Sequence, residues 1–388
     1  MLKYGPSSSR TSTGLKPGEN EKIFSTQTMQ FSLFFFSADG STNTADKYQL
    51  LIESAQFADQ HGFTAIWTPE RHFQDFGGLY PNPAVLGAAL AMITKRIHIR
   101  AGSVDLPLHH PLRVAEEWSV VDNLSGGRVG VSFASGWHPL DFVLAPAAYE
   151  KRKDLMFQNI EMIQRLWAGE SLSFPGVDGT QAAVKVRPRP LQARLPMWIT
   201  IANNPDTWVR AGKIGANVLT AIVKQPLAVL AEKIALYRRT LAAHGHDPQL
   251  RQVAVMVHTF VGEDDKSVRE IVRPALSRYF RSNIKQLELQ TELLVQSSHE
   301  VAELRDDDAE TIAAYAFQRY YETKLLCGTI EKCSRLVRNL AHAGVDEVAC
   351  LIDFGVDPAA VKHSLLQLNN LRLECNSPAA EPALSSSF

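Results

Sequence analysis

The sequence has no excess of basic residues. Its 40 Lys and Arg side chains are balanced by 41 Asp and Glu side chains, so the formal net charge of the 388 residues is −1. Proteins that hold nucleic acid or an anionic membrane surface usually carry a basic excess, because phosphate groups attract Lys and Arg. The charge balance therefore argues against nucleic-acid and membrane partners.

Long apolar runs and a secretory signal pattern are also missing. Wholly apolar runs extend over a few residues, whereas a membrane-spanning helix needs about 20. A composition of 45% hydrophobic and 21% charged residues is typical of a soluble globular protein. We therefore expect a cytoplasmic protein.

Cysteine is scarce and confined to the last part of the chain. Cys327, Cys333, Cys350 and Cys375 are the four cysteines, and none of them forms a C-x-x-C pair. A disulfide framework is typical of small secreted domains rather than of a chain this long. We expect reduced, mostly buried thiols.

Strand-like and helix-like segments alternate along the sequence. The apolar run 29–38 is typical of a strand buried on both faces, and residues 46–62 carry apolar side chains at helical spacing. The eight predicted strands are 29–38, 63–69, 97–108, 128–136, 195–202, 217–223, 252–262 and 347–355. Eight strands that each precede a helix predict an α/β fold, a (β/α)8 TIM barrel, over residues 29–374.

Two insertions and two flexible ends complete the predicted organisation. Residues 170–196 are rich in Gly and Pro and predict a hairpin before the fifth strand. Residues 264–345 predict a helical insertion before the eighth strand, which is either a lid or a helical support of the barrel rim. The Ser-, Gly- and Pro-rich segments 1–28 and 375–388 are expected to be a flexible linker and tail.

Two predicted strand ends have the features of an anion site. Ser135-Gly136 follows the fourth strand, and Asn203-Asn204 precedes a proline at the start of a helix. Backbone N–H groups at such a helix start bind phosphate, although the same residues also serve as an ordinary helix cap.

A metal site is an alternative use of the polar residues at the barrel mouth. Its possible ligands are Glu70, His72, His109, His110 and His138. The first strand lacks the His-x-His pair that would place two ligands side by side. We therefore predict no metal and expect these histidines to act through hydrogen bonds.

Two motifs resemble those of a known family. PERHF at 69–73, with HPLRVAEEWSVVDNLSGGR at 110–128 joined to a strand that ends SGW, resembles the bacterial-luciferase-like flavin monooxygenases. Within that family the chain is similar to the branch found beside polyketide and nonribosomal-peptide assembly lines. The resemblance extends from about residue 29 to residue 372, which is nearly the whole predicted barrel.

The resemblance implies that reduced FMN binds at the barrel mouth and reacts with O2. It places a non-prolyl cis peptide bond at Gly102-Ser103, against the flavin ring, and the FMN phosphate between Ser135-Gly136 and the helix that follows the fifth strand. The implied cofactor residues are Gly102, Ser103, Ser135, Gly136, Ala202, Asn203, Asn204 and Thr207.

Catalytic and substrate residues are expected beside the flavin. Glu70, His72 and His138 would orient the substrate and oxygen. Phe36, Arg71, Phe73 and Trp137 would line the substrate pocket, with Trp198 as a further aromatic wall. Aromatic walls would exclude water from the reaction, although plain barrel packing also explains such residues.

The sequence departs from the family pattern at several positions. Light-emitting members have a histidine directly after the motif glutamate and a cysteine on strand four, where this chain has Arg71 and Ala134. Ser135 replaces an arginine that binds phosphate, and Asp105 is polar where the wider family is usually apolar. We therefore expect no light emission, and a phosphate held mainly by backbone N–H groups and short polar side chains.

The expected function is hydroxylation of a natural-product intermediate with FMNH2 and O2. The substrate could be an aminoacyl or peptidyl group on a carrier protein, a flavin reductase would supply FMNH2, and a homodimer is expected by analogy. Two alternatives keep the fold: a deazaflavin-dependent hydride-transfer oxidoreductase, and a non-catalytic flavin-binding or docking module.

Overall fold

A computed structural model describes residues 28–36, 46–75, 77–136, 138–222, 225–282 and 317–377. Trp137 lies outside the described residues, as do nearly all of the predicted N-terminal linker and most of the predicted tail. The last helix continues to Asn376, two residues beyond the predicted end of the barrel.

Eight of the described strands form the barrel, all of them parallel. In chain order the strands are β1 (Gln30–Phe34), β2 (Ala65–Thr68), β3 (His98–Asp105), β4 (Val129–Ala134), β5 (Leu172–Pro175), β6 (Gln181–Val184), β7 (Met197–Thr200), β8 (Asn217–Ala221), β9 (Val253–Val261), β10 (Leu326–Gly328) and β11 (Glu347–Leu351). The barrel runs β1-β2-β3-β4-β7-β8-β9-β11 and closes because β11 pairs with both β9 and β1. The predicted (β/α)8 fold is confirmed.

Helices surround the barrel, and several of them begin at side-chain caps. They are α1 (Gln49–His61), α2 (Pro83–Ile93), α3 (Pro111–Ser125), α4 (Arg152–Ala168), α5 (Pro205–Lys213), α6 (Leu227–Ala243), α7 (Asp265–Ser282), α8 (Ile330–His342) and α9 (Pro358–Asn376). The side chains of Asn82, Asn204 and Asp357 accept hydrogen bonds from the first turns of α2, α5 and α9, each of which starts with proline. Gly126 ends α3 with a φ of +71°, a conformation that favours glycine.

The barrel interior below the cavity is filled by aromatic side chains around one ion pair. Arg100 donates to Glu347 at 2.7 Å, and both side chains are buried. The guanidinium carbon lies 4.9 Å from the ring centroid of Trp67 and 4.4 Å from that of Trp198. Phe34 packs at the upper side of this cluster, so the cluster forms the floor of the space above it.

Both predicted insertions are present. Strands β5 and β6 form the expected antiparallel hairpin before β7. Helix α7, the helical residues 317–323 and α8 lie between β9 and β11, together with β10, a short strand parallel to the end of β9 that the sequence did not predict. Three residues are too few to produce a periodic pattern. Residues 283–316 lie outside the described residues, so the lid remains a hypothesis.

Candidate active site

A cavity of about 510 Å³ opens at the carboxyl ends of the barrel strands. Its size falls in the range of small-molecule and cofactor pockets, and this end of the barrel is where such enzymes place their active sites. The cavity is lined by all the residues predicted to bind the cofactor, which are Gly102, Ser103, Ser135, Gly136, Ala202, Asn203, Asn204 and Thr207. The fold therefore brings these residues together although they come from three separate strand ends.

The Gly102-Ser103 peptide bond is cis, as the resemblance implied. A Cβ at Gly102 would lie 2.8 Å from the Phe34 ring, so only glycine fits at this position. Ser103 Oγ hydrogen-bonds to Thr200 Oγ1, which also contacts Ser132 Oγ at 2.6 Å. These contacts hold the peptide on the cavity wall, where it presents a nearly side-chain-free surface.

Glu70 is the centre of a hydrogen-bond network beside this peptide. Its Oε1 accepts from His72 Nε2 at 2.8 Å and from His109 Nε2 at 2.5 Å, and its Oε2 accepts from the backbone N–H of Asp105 at 2.8 Å. Burial alone would raise the pKa of Glu70, but the hydrogen bonds from His109 and His72 outweigh it and lower the pKa. Glu70 is therefore a carboxylate that holds its neighbours in place.

His109 is a member of this network that sequence reasoning considered only as a possible metal ligand. Burial opposes its protonation, but the hydrogen bond and the charge of Glu70 outweigh burial and raise the pKa of His109. The signal for this contact was available, because Glu70 follows β2 and His109 follows β3, and the two strands are neighbours. His109 is the more exposed imidazole, with 30% of its side chain accessible against 11% for His72.

Asp105 ends β3 and lines the cavity as a buried carboxyl. Burial, together with the charges of Glu70 and Asp141, raises the pKa of Asp105 to about 8. At neutral pH the group is therefore mostly a protonated acid that can both donate and accept a hydrogen bond.

Several predicted residues are placed differently from the expectation. Phe36 and Arg71 line the cavity, whereas His72 reaches the site only through Glu70. The cavity lining does not include His138, Phe73 and Trp198, so the roles expected of them stay predictions.

The reason differs for each of these three. His138 Nδ1 accepts from the backbone N–H of Leu140 at 3.3 Å, where it caps the short helix 139–144. Phe73 is 57% exposed and lies at a φ of +57°, which directs the chain outward after the motif. Trp198 belongs to the aromatic floor of the barrel, which is the packing explanation that the sequence left open.

Basic residues at the cavity were missed by sequence reasoning. Arg152 and Lys153 at the start of α4 and Arg210 in α5 line the cavity beside the predicted phosphate residues. Arg210 also bonds Asp154 at 3.0 Å. These three cations could bind a phosphate in addition to the backbone N–H groups and short side chains that the sequence predicts, and that expectation stays a prediction.

Residues 29–347 match the family model of the luciferase-like monooxygenases. The chain belongs to this family. A flavin-dependent trigonelline monooxygenase, oxygenase component, from Acinetobacter baylyi is 28% identical over 360 residues, which are 88% of this chain and 94% of that protein. A 4-hydroxyprotoasukamycin monooxygenase from Streptomyces nodosus is 29% identical over 218 residues, which are 53% of this chain and 58% of that protein. The chain is thus a luciferase-like flavin-dependent monooxygenase, an oxidoreductase.

Solved structures agree with the fold. The oxygenating constituent of 3,6-diketocamphane monooxygenase from Pseudomonas putida, in complex with FMN, superimposes with a TM-score of 0.72 at 19% identity over 89% of this chain and 98% of that one. An F420-dependent secondary alcohol dehydrogenase gives a TM-score of 0.63 at 17% identity over 90% and 100% of the two chains. Both share the barrel of this monooxygenase.

The described part of the monooxygenase has no cluster of three or more His, Cys, Asp or Glu side chains placed to share a metal ion. Among the same residues, none of the helices combines the length and apolar character of a membrane span. All four cysteines are free thiols, and Cys375 is the one that is partly exposed.

Proposed function

We propose that this enzyme uses reduced FMN and O2 to hydroxylate a natural-product intermediate. The observation that carries the proposal is the cavity that brings together the predicted cofactor residues and Glu70. Aminoacyl or peptidyl groups tethered to a carrier protein are the substrates that we favour. The name of one relative, 4-hydroxyprotoasukamycin monooxygenase, supports a natural-product substrate.

The residues present fit an FMN at this site. Ser135, Asn203 and Thr207 supply short polar donors, and Arg152 and Lys153 supply cations for the phosphate at the same side of the cavity. Lys153 makes no hydrogen bond or ion pair within the described part of the chain, so its ammonium is available to a ligand. The cis peptide at Gly102-Ser103 would lie against the flavin ring.

The residues of this chain would bind the flavin and the substrate, orient them, and shield them from water. When bound, reduced flavin supplies the two electrons with which one oxygen atom of O2 enters the substrate and the other leaves as water. Phe36, Tyr279 and Tyr320 line the cavity and would exclude bulk water. Glu70 would hold His72 and His109 at fixed positions, and His109, the more exposed imidazole, would exchange protons with solvent.

A separate reductase is the partner that would supply the reduced flavin. The name of the trigonelline relative, an oxygenase component, supports this division of labour. Flavin reduction by the reductase and substrate binding by this chain could then be measured in separate experiments.

We also propose a homodimer formed through α2 and α3. Val85, Met92, Val120 and Leu124 on these two helices are 65%, 64%, 42% and 47% exposed, and the eleven residues of α2 include no charged side chain. An exposed apolar face on neighbouring helices is typical of an interface, and a two-fold axis would cover it with its own copy.

The test of the function uses the purified full chain. FMN binding is measured by quenching of its fluorescence, and O2 consumption is measured with FMNH2 and carrier-bound aminoacyl substrates. We expect FMN to bind and substrate to raise product formation per O2 consumed. Absence of flavin binding in both redox states would refute the proposal.

A deazaflavin-dependent hydride transfer is the second candidate, favoured by the F420-dependent dehydrogenase that shares the fold. That reaction needs no oxygen. Turnover with reduced F420 under anaerobic conditions would support it, whereas turnover that requires O2 supports hydroxylation. A non-catalytic flavin-binding module would bind flavin and give turnover in neither assay.

A further inference from the structure

The Asp105 carboxyl lies on the cavity wall, and the described residues supply no hydrogen-bond or ion-pair partner for it. The residue is 6% exposed and lines the cavity. Within the described part of the chain its side chain forms no hydrogen bond or ion pair, although its backbone N–H donates to Glu70. A buried carboxyl without a partner is costly, and the cost is removed when a ligand supplies the missing hydrogen bond.

The surroundings of Asp105 select the chemistry of that ligand. The carboxyls of Glu70 and Asp141 act on Asp105 more strongly than the nearby cations Arg71 and His109, so the net surroundings disfavour an anionic ligand group. An apolar group would leave the carboxyl unsatisfied. A nitrogen that carries N–H donors and a positive charge satisfies both conditions.

We infer that Asp105 is the group that recognises an amine nitrogen of the substrate, so that this cavity selects substrates with a primary or secondary amine. The inference deepens the proposed function and rests on it for the identity of the reaction, but amine binding itself does not require flavin. Asp105 is thereby a specificity-determining residue. On binding an ammonium group, the carboxyl ionises and releases its proton to solvent.

The pH dependence of binding follows from the same geometry. The charged and titratable groups that act on Asp105 are Glu70, Arg71, His109 and Asp141. Because burial and the charges of Glu70 and Asp141 raise its pKa to about 8, affinity for an ammonium ion should increase as the pH rises toward 8 and the carboxyl ionises more easily. A neutral alcohol should show no such increase.

The experiment compares an amine with its neutral counterpart. Tryptamine and tryptophol are titrated into wild type, Asp105→Asn and Asp105→Val by calorimetry, at pH values of about 6, 7 and 8. We expect tryptamine to bind wild type more tightly than tryptophol, and each substitution to weaken tryptamine about 10- to 100-fold. Tryptophol should change by less than about threefold in the asparagine variant, which keeps a polar side chain of the same size.

The control is Asp206→Asn, which makes the same chemical change at an exposed carboxylate on the cavity rim. It should leave the preference for tryptamine in place. Absence of that preference in wild type, or its persistence in both Asp105 variants with native circular dichroism, overturns the inference.

FMN affinity is measured in parallel so that the two proposals can fail separately. If wild type binds no flavin but prefers tryptamine, the proposed function fails and the amine site stands. If the Asp105 variants lose FMN affinity while the preference for tryptamine is unchanged, the carboxyl contacts flavin instead, and the inference is wrong.

Discussion

The substitution Glu347→Gln tests how the barrel floor is held together. Glu347 Oε2 accepts from Arg100 at 2.7 Å, and its Oε1 accepts from Ser32 at 2.5 Å and from Trp67 at 3.1 Å. A glutamine keeps one oxygen for the Ser32 and Trp67 donors. It removes the only negative charge that the described residues place in contact with the Arg100 guanidinium.

The expected cost follows from burial. The side chains of Arg100 and Glu347 are 5% and 0% exposed, so the substitution leaves a cation enclosed between two indole rings. Breaking a buried pair by removing one partner costs about 3–5 kcal/mol, against a total free energy of unfolding of about 5–15 kcal/mol. Replacing both partners, as in Arg100→Met with Glu347→Gln, should recover about 2–3 kcal/mol of the summed single costs.

Urea denaturation followed by tryptophan fluorescence measures these free energies of unfolding. The matched control is Glu331→Gln, which removes the partner of Arg335 from an exposed pair whose side chains are 84% and 58% accessible. That change should cost less than about 1 kcal/mol. If Glu347→Gln lowers the free energy of unfolding no more than Glu331→Gln does, the buried Arg100 guanidinium does not depend on its carboxylate partner, and the prediction is wrong.

Three further predictions concern the site and the interface. His109→Gln should make shallower the decline in Tm that wild type shows as the pH rises through the raised pKa of His109, because the Glu70–His109 ion pair stabilises the fold only while His109 is protonated; thermal melts from about pH 5 to 9 check this. Arg152→Ala should weaken FMN about 10- to 100-fold and leave riboflavin, which lacks the phosphate, unchanged in a fluorescence titration. Met92→Lys should convert the proposed dimer into a monomer in sedimentation analysis, and a dimer that persists would place the interface elsewhere.

The fold was predictable because the barrel repeats one simple unit. Each buried strand produces a continuous apolar run, and helices such as α6 carry their apolar residues at helical spacing, so periodicity identified all eight barrel strands. Strand β10 was not predicted, because three residues are too few to show a periodic pattern. The hairpin β5–β6 was found through its Gly and Pro residues rather than through its strands.

The site was predictable in part, for a different reason. Residues directly after a strand, such as Glu70 and Ser135, are placed at the barrel mouth by the topology alone. Arg152 and Arg210 lie within helices, where sequence order does not show which side chains turn toward the mouth. The sequence leaves Trp198 open between the cavity wall and barrel packing, and the structure places it in the barrel floor.

Charged groups are unevenly distributed in the cavity, although the protein as a whole is nearly neutral. Glu70 and Asp105 are on the side of β2 and β3, whereas Arg152, Lys153 and Arg210 come from α4 and α5 around β7. The net charge of −1 hides this separation, because the opposite charges cancel at a distance. On the α4 and α5 wall, Arg152, Lys153 and Arg210 supply positive charge, whereas on the other wall Glu70 is paired with His72 and His109 and Asp105 is mostly protonated. The first wall therefore attracts anionic groups of a ligand, and the second offers hydrogen-bonding groups with little net charge.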